Sequence, residues 1–450
     1  MEHDPKVNMD MIDIDRSTSF LICIGGDDAI LVECGDIEGD VRIPRSVYSE
    51  RYENESGGHV FQVRAIERFA FSGCTGVTSI WIPDTVASIG DSAFSDCCNL
   101  VSIDVSVDNE SYSSKDGVLF DRSGTMLIKY PEGREGDYIV PDGTSAIGEF
   151  AFSRCTYLTS LMIPDSVSSI ESCSIAWCPN LGSLSVSDGN ESYSSKDGVL
   201  FDVSEKILIR CPESKTGEYI IPNGVESIGD SAFSDCTDLE SIVIPGTVVD
   251  IRYSAFSGCS NLSYIEIHEG VMTIGENAFC ECSSIQSILL PDSVTSIRSS
   301  AFNGCRNLRS IRIPSNVTSI ASYTFCECHN LSRITLPDSI ISIGNNAFTE
   351  CRSLESIHVP NGVIDIGRFA FSDCSSLSSV SLPDTLESIG DRAFSDCTGL
   401  VSISIPDSVT SIDPWVFEGC TGLRSVRIDP DLDCILPDGV EIMESDSDPI

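Results

Sequence analysis

The residue type in this chain best suited to metal or redox chemistry is cysteine, and its spacing is regular. A disulfide framework or a metal site would be the usual interpretation of so many cysteines. A fixed period of 23 residues indicates instead a solenoid, in which every coil places the same residue at the same point of the core. Because cysteine packs as a small apolar residue, we expect a ladder of reduced, buried thiols. Thirteen of the 21 cysteines keep this phase, namely Cys74, Cys97, Cys155, Cys178, Cys236, Cys259, Cys282, Cys305, Cys328, Cys351, Cys374, Cys397 and Cys420.

Two further cysteines outside this phase form the strongest candidate metal site. Cys280 and Cys326 form Cys-x-Cys pairs with Cys282 and Cys328, and His329 follows the second pair. A structural zinc site needs four ligands close together, whereas these pairs lie two coils apart. We therefore predict no zinc site here.

The remaining reactive side chains do not form a pattern typical of an enzyme. The five histidines are scattered, serine and aspartate follow the repeat, and no glycine-rich phosphate loop follows a strand. Carboxylates that precede the cysteines could attract Ca²⁺, but no six-oxygen loop is visible. We predict no catalytic residue, no cofactor and no metal. Asn109, Asn190 and Asn316 each begin a triplet that fits a glycan acceptor, which a serine-rich chain also produces by chance.

Charge and hydropathy restrict the classes of partner. A net charge of −42 with no cluster of lysine or arginine argues against nucleic-acid binding. Such acidity suits high salt, cationic partners or the solubility of a long rod. The N-terminus has no signal-peptide pattern, and no apolar run is long enough to span a bilayer. From these features alone we expect no membrane insertion and a cytoplasmic location.

The elements that position the cysteines can be read from the repeat. Counting each cysteine as zero, positions three, six and eight are aliphatic, which predicts a strand with one buried face. Proline at position nine ends the strand because it lacks an amide hydrogen. After a turn and two more apolar residues comes Ala-Phe-x-x-Cys, which we expect to form a short helical or 3₁₀ turn that buries the Phe.

The domain organisation follows from where the period holds. We predict an N-terminal β cap over residues 1–62, a solenoid over 63–430, and a C-terminal cap with an acidic tail over 431–450. Two hairpins are inserted at about 107–138 and 188–219. Both contain the same thirteen residues, NESYSSKDGVLFD, followed by MLIKYP or ILIRCP, and GVLFD with LIKYP is typical of a β-hairpin. Recent duplication and a shared ligand site both account for this identity.

Position five supplies two of the nine candidate binding residues, Tyr264 and Arg333, and position seven supplies the other seven. Position seven lies between two buried aliphatic positions, so its side chain must face outward from the strand. Large apolar residues at an outward position often mark an interaction site, although coverage by the hairpins or β-propensity alone would also place them there. The predicted strip consists of Trp81, Met162, Val243, Leu289 and Tyr264, bordered by Glu266, Arg312, Arg333 and His358.

The repeat consensus L-x-S-I-x-I-P-x-S-V-x-S-I-G-x-x-A-F-x-x-C-x-x resembles the BspA-type leucine-rich repeats of the Treponema pallidum class, which have a 23-residue unit. The match covers about residues 63–430, and the YSSKDGVLFD…LIKYP insertions look like those of the same family. The resemblance implies a β-rich, curved, right-handed leucine-rich-repeat solenoid of short parallel strands. It also implies a surface protein that adheres to host or matrix proteins.

We therefore predict a non-catalytic leucine-rich-repeat scaffold that binds a protein or glycoprotein through its variable strand face. The alternative is a structural rod that self-associates through its hairpins. Carbohydrate binding at a cell surface is a third candidate. The resemblance favours a surface or secreted location, whereas the missing signal peptide favours the cytoplasm.

Overall fold

The computed structural model describes residues 20–25, 28–35, 37–54, 57–432 and 434–443. It is a β-solenoid of about 16 turns with coils of about 23 residues, which confirms the predicted fold class. The chain divides into two compact units, Met1–Val203 and Ser204–Ile450. Residues 1–19 of the predicted cap and 444–450 of the predicted acidic tail lie outside the described residues.

The first unit begins with an N-terminal sheet. Strand β1 pairs antiparallel with β2, β2 pairs parallel with β5, and β4 pairs antiparallel with β5. Its apolar side chains, such as Leu31 and Phe61, share one buried cluster with Phe71 and Ile80 of the first coil. The sheet therefore extends the core of the coils toward the N-terminus. The strands are β1 (Phe20–Gly25), β2 (Asp28–Cys34), β3 (Gly39–Arg42), β4 (Ser46–Asn54) and β5 (Gly57–Ile66).

The coils of the first unit carry two parallel ladders, one of longer strands and one of two-residue Ser-Ile or Ala-Ile strands. Inward side chains such as Ile80 and Leu161 are fully buried. The strands are β6 (Val77–Ile82), β7 (Ser88–Ile89), β8 (Ser102–Val105), β9 (Tyr112–Lys115), β10 (Val118–Asp121), β11 (Met126–Lys129), β12 (Gly136–Ile139), β13 (Ala146–Ile147), β14 (Leu158–Ile163), β15 (Ser169–Ile170), β16 (Ser183–Val186), β17 (Tyr193–Lys196) and β18 (Val199–Asp202).

The second unit repeats the two ladders with few interruptions. Ile242 pairs with Ile265 in the first ladder, and Ile251 pairs with Ile274 in the second. The strands are β19 (Ile207–Arg210), β20 (Gly217–Ile220), β21 (Ser227–Ile228), β22 (Leu239–Ile244), β23 (Asp250–Ile251), β24 (Tyr264–Ile267), β25 (Thr273–Ile274), β26 (Ser287–Ile288), β27 (Ser296–Ile297), β28 (Ser310–Arg312), β29 (Ser319–Ile320), β30 (Arg333–Thr335), β31 (Ser342–Ile343), β32 (Ser356–His358), β33 (Asp365–Ile366), β34 (Ser379–Ser381), β35 (Ser388–Ile389), β36 (Ser402–Ser404), β37 (Ser411–Ile412), β38 (Ser425–Arg427) and β39 (Glu441–Met443).

The Ala-Phe-x-x-Cys segment differs from the short helical or 3₁₀ turn expected for it, and the described residues contain no helix. Ser231 and Asp235 have φ of 53° and 60°, and a right-handed helix needs negative φ at every residue. Alternate amides instead donate to the following coil, as Phe233 N does to Ala255 O at 2.7 Å. The segment is therefore a series of turns that forms a third ladder.

The aromatic and cysteine columns fill the core beside this third ladder. From Phe233 to Phe417, the rings of successive coils lie 4.8–6.1 Å apart. Ten of the twelve buried repeat thiols donate to the phenylalanine carbonyl of the preceding coil, as Cys259 Sγ does to Phe233 O at 3.0 Å. Cys155 donates instead to Tyr130 O, and Cys236 donates to Pro212 O. Burial raises the pKa of Cys420 to about 12. Twelve of the thirteen repeat cysteines are free and buried, as predicted.

Cys74 departs from the predicted ladder of free thiols because it forms a disulfide with Cys34. Cys74 lies in the first coil, which has the N-terminal sheet as its neighbour on the N-terminal side. The Cys34 amide donates to Ala70 O at 2.7 Å, so Cys34 takes the place that a preceding coil would occupy. The disulfide joins the N-terminal sheet to the first coil.

The inserted block of the first unit contains the predicted hairpin and also a coil that we did not predict. Strands β10 and β11 pair antiparallel, and β9 and β10 form a second hairpin through Asp116 and Gly117. Strand β11 also pairs parallel with β13. Tyr130 takes the place of phenylalanine, because its amide donates to Ala151 O at 2.8 Å and its ring lies 5.2 Å from Phe152. The block is thus a hairpin followed by a divergent coil.

Candidate functional site

The nine predicted binding residues all reach the surface on the first strand ladder. Leu289 and Tyr264 are 74% and 56% exposed, and Trp81 and Val243 are half-buried. The neighbours on either side of an outward residue point inward, as Ile242 and Ile244 do beside Val243. The remaining predicted residues are exposed, namely Met162, Glu266, Arg312, Arg333 and His358.

The structure does not place these nine residues in one uninterrupted row. The ladder consists of three sections, and each begins with a Gly-Asp or Gly-Glu pair at a register shift. The first section is β3, β6 and β8, and it holds Trp81. The second is β12, β14 and β16, and it holds Met162. The third section begins at β20 and continues through the second unit as four successive sheets, β20-β22-β24, β26-β28-β30, β32-β34 and β36-β38-β39, and it holds the other seven residues.

A glycine begins each section because the backbone there is left-handed. Gly39, Gly136 and Gly217 have φ of 77°, 90° and 71°, a conformation that glycine adopts at little cost. The phrases GDVRIP, GDYIVP and GEYIIP that start at these glycines are therefore equivalent. This similarity was present in the sequence and would have identified the two divergent coils.

The hairpins are the reason that the ladder is interrupted. Ile103 N of β8 donates to Gly117 O at 2.8 Å, and Val105 N donates to Ser114 Oγ at 2.9 Å. In the second section, Leu184 N donates in the same way to Gly198 O at 2.9 Å. The amides that would otherwise bond a following strand are thus used by the hairpin.

The asparagine that begins the thirteen identical inserted residues has a structural role. Asn109 is fully buried, and its amide group donates to Pro83 O at 2.8 Å and Val86 O at 2.9 Å. Its Oδ1 accepts from the amides of Ser111 and Tyr112. The buried Asn190 makes the corresponding four bonds in the second copy. Neither side chain is available as a glycan acceptor.

The outward residues of the first section include one that the sequence analysis missed. Arg42 of β3 lies over Trp81, with its guanidinium carbon 5.1 Å from the ring centroid. Asp40 accepts hydrogen bonds from Ser79 at 2.6 Å and Thr78 at 3.1 Å, and these two bonds lower its pKa. The first section therefore presents a cation stacked on an aromatic ring beside an ionised carboxylate.

The second and third sections each begin with an exposed isoleucine that was also missed. Ile139 pairs with Met162, and Ile220 pairs with Val243. These isoleucines are 65% and 61% exposed. Each divergent coil therefore adds one large apolar side chain to the predicted column.

The third section is the largest of the three surfaces. On β24, Tyr264 donates to Glu266 Oε2 at 3.2 Å, and His268 Nε2 lies 2.8 Å from Glu266 Oε1. The hydrogen bond with His268, followed by that with Tyr264, lowers the pKa of Glu266. Further along, Arg312 pairs with Asp292 at 2.6 Å. The section thus changes from apolar at β20 to charged at β28.

A second exposed apolar column lies on the turn side of the second unit and was not predicted. Met272, Ile341 and Ile364 stand just before the Ser-Ile strands and are 47%, 53% and 47% exposed. They are aligned in the coils as the outward strand residues are. We call these three residues the turn column and use them as the control for substitutions on the strand face.

The residues considered above as candidate metal ligands do not form a cluster. Within the described ranges, no three His, Cys, Asp or Glu side chains come together as a metal site. Burial raises the pKa of Cys326 to about 12. In the carboxylate column, Arg306 lies 3.6 Å from Glu281 and 3.0 Å from Glu327. Also within the part of the chain that the structure describes, no helix is long and apolar enough to cross a bilayer.

Comparison with known proteins gives one family and several similar structures. A family model described as "BspA type Leucine rich repeat region (6 copies)" matches residues 43–121, 136–208, 211–332 and 318–437. No curated protein sequence matches the chain.

Three solved structures illustrate the similarity. A leucine-rich cell surface protein of Faecalibacterium prausnitzii is 26% identical over 74% of this chain and 95% of its own, with a TM-score of 0.46. A leucine-rich repeat protein of Bacteroides ovatus is 23% identical over 96% and 99%, with a TM-score of 0.48. The T. pallidum leucine-rich repeat protein is 27% identical over 45% and 86%, with a TM-score of 0.34.

Proposed function

This chain belongs to the BspA-type leucine-rich repeat family, and on that premise we propose that it is a non-catalytic scaffold that binds a partner protein through the outward residues of its third section. The observation that carries the proposal is the exposed apolar group of Ile220, Val243, Tyr264 and Leu289 on a strand face. Aromatic and aliphatic residues surrounded by polar ones are typical of the energetic centre of a protein interface.

The rigid frame supports this role. Backbone hydrogen bonds join each coil to its neighbours, most continuously along the Ala-Phe-x-x-Cys segments, so outward side chains keep fixed positions while their identities vary. In a solenoid, binding surfaces are built in this way from variable positions on invariant repeats. We propose two smaller contact points of the same kind, one formed by Trp81 and Arg42 and the other by Met162 and Ile139.

The alternative of a self-assembling rod has less support. Its contacts would come from the hairpins, but the first hairpin uses Gly117 and Ser114 to bind its own β8. Hydrogen-bonding groups used within the chain are not available to a second copy.

Adhesion at a cell surface is a narrower form of the proposal. Labelling of intact and permeabilised cells with an antibody against the chain tests it. Signal from intact cells supports adhesion, and signal only after permeabilisation contradicts it.

A random-peptide display library selected on the intact chain tests the proposed surface. One variant replaces Val243, Tyr264 and Leu289 of the strand face with serine. The matched control replaces Met272, Ile341 and Ile364 of the turn column with serine.

We expect the recovered peptides to bind the strand-face variant at least about tenfold more weakly and the control variant as they bind the unmodified chain. Circular dichroism verifies that both variants fold. Recovery of no peptide, or equal binding to the strand-face variant, would contradict the proposal.

A further inference from the structure

The third section carries a group of arginines in a chain that is otherwise strongly acidic. We define the arginine patch as Arg309, Arg312 and Arg333. Arg309 directly precedes β28, Arg312 ends β28, and Arg333 begins the neighbouring β30. Ser310 is the register partner of Arg333, and paired strands lie about 4.8 Å apart. Three exposed guanidinium groups therefore share one small area, although the chain has 69 acidic and only 27 basic residues.

Two of these arginines have no acidic partner. Arg312 pairs with Asp292 at 2.6 Å. Among the residues that the structure describes, no carboxylate lies within 4.0 Å of a nitrogen of Arg309 or Arg333. The carboxylates in the same column as Arg309 are Glu240, three coils before it, and Glu355, two coils after it and one coil after Arg333. The contrast with Arg306, which has two carboxylates at 3.6 Å and 3.0 Å, shows that this absence is local.

The surroundings add hydroxyl donors and an apolar contact. Ser310 and Thr335 lie exposed on the same two strands. Leu289, at 74% exposure, is the outward residue one coil before Arg312. Guanidinium groups bind carboxylates with two parallel hydrogen bonds. A screening length of about 8 Å at physiological salt keeps the net charge of the chain from cancelling a local patch.

We propose that the arginine patch binds an acidic segment of the partner protein, in which Asp or Glu carboxylates pair with Arg309 and Arg333. The proposal deepens the function proposed above and rests on it. A sulfated glycan is the other anionic ligand that arginines could bind. Leu289 favours a peptide, because a peptide can place an apolar side chain on Leu289 beside its carboxylates. The partner is thus an acidic segment with at least one apolar residue.

Fluorescence anisotropy with a short labelled glutamate-rich peptide that contains one leucine tests this proposal. The patch variant carries Arg309→Glu and Arg333→Glu. The control variant carries Arg252→Glu and Arg298→Glu, which make the same change of charge at exposed turn positions of the same unit.

We expect the patch variant to bind the peptide about tenfold more weakly than the unmodified chain and the control variant to bind it less than about twofold more weakly. Raising the ionic strength to about 1 M should weaken binding because the screening length falls to about 3 Å. A lysine-rich peptide of the same length should not bind.

Three outcomes would overturn the proposal: no binding of the glutamate peptide to the unmodified chain, equal losses in both variants, or tighter binding of a heparin fragment than of the peptide. The display selection separates this failure from failure of the proposed function. Selected peptides that need Val243, Tyr264 and Leu289 but bind the patch variant normally would refute the acidic segment and leave the strand face intact. If the glutamate peptide binds but the display selection recovers no peptide that depends on the strand face, only the broader proposal is refuted.

Discussion

The regular coils of the second unit and the inserted block of the first unit solve the same packing problem with different residues. In the regular coils, each phenylalanine stacks on the next, and the buried polar groups are small hydroxyls such as those of Ser372 and Ser395, which lie 2.9 Å apart. In the inserted coil, Tyr130 replaces phenylalanine, and Lys129 pairs with the buried Glu132 at 2.8 Å. The comparison shows that the ladder geometry tolerates a change of core chemistry: the buried charges of Lys129 and Glu132 pair with each other, while the Tyr130 hydroxyl is buried without a hydrogen-bond partner among the described residues.

The two regions also differ in what their repetition means. Regular coils repeat their inward residues and vary their outward ones. The two inserted blocks repeat thirteen residues, and the buried hydrogen bonds of Asn109 and Asn190 explain one of these identities. The shared asparagine of the inserts therefore follows from packing, whereas the outward positions of the coils vary because packing does not constrain them.

The largest expected effect comes from breaking the phenylalanine stack. Phe302→Ala should lower the free energy of unfolding by about 3–5 kcal/mol, because it leaves a cavity between two rings. Urea denaturation followed by fluorescence measures the change. Phe369→Ala, at a half-buried position outside the stack, is the control, and an equal loss there would contradict a special role for the stack.

The inserted block should be most sensitive at Asn109. Asn109→Ala leaves the Pro83 and Val86 carbonyls without their donors and should cost about 1–3 kcal/mol. Hydrogen exchange should accelerate in residues 112–121. Asn316→Ala, at an exposed asparagine, should change stability by less than about 0.5 kcal/mol, and the same exchange pattern in both variants would refute the account of the insert.

The buried ion pair of the inserted block predicts a dependence of stability on pH. Burial is the main reason that the pKa of Glu132 lies above its ordinary value of 4.5, although Lys129 opposes the shift. A carboxyl group with a raised folded-state pKa adds stability below its unfolded pKa, and this stability is lost as pH rises through the folded-state value. As pH falls from 7 toward 4.5, the unmodified chain should gain stability relative to Glu132→Gln.

Urea midpoints across this range measure the difference. Glu149→Gln, at an exposed carboxylate, is the control. A constant difference between the unmodified chain and Glu132→Gln would contradict the assignment.

The smallest effect on stability is expected where the effect on binding is greatest. Leu289→Ala should change the free energy of unfolding by less than about 0.5 kcal/mol, since the side chain is exposed. Its neighbour Ile288 is 6% exposed, and Ile288→Ala should cost about 2–5 kcal/mol. Binding of a selected peptide should weaken in Leu289→Ala. Similar stabilities of Leu289→Ala and Ile288→Ala would show that the side chains of β26 do not alternate between inward and outward positions.

The period of 23 residues was sufficient to predict the coils, the buried thiols and the outward position of Leu289 and Arg312. It was not sufficient for the third ladder, because Ser231 and Asp235 adopt a left-handed conformation that neither residue prefers and that contacts with the next coil impose. The divergent coil at Tyr130 escaped detection because its tyrosine and the register shift at Gly136 hide the repeat. The Cys34–Cys74 pair could not be found because no repeat relates its two members.

Hydrogen–deuterium exchange of the intact chain with and without its tightest selected peptide is the most direct test of the central claim, that inward ladders hold the fold and outward strand residues of the third section bind the partner. The account predicts protection at β22, β24, β26 and β28, with no change at Met272, Ile341 and Ile364. Protection confined to the turn column, with the strand face unchanged, would contradict it.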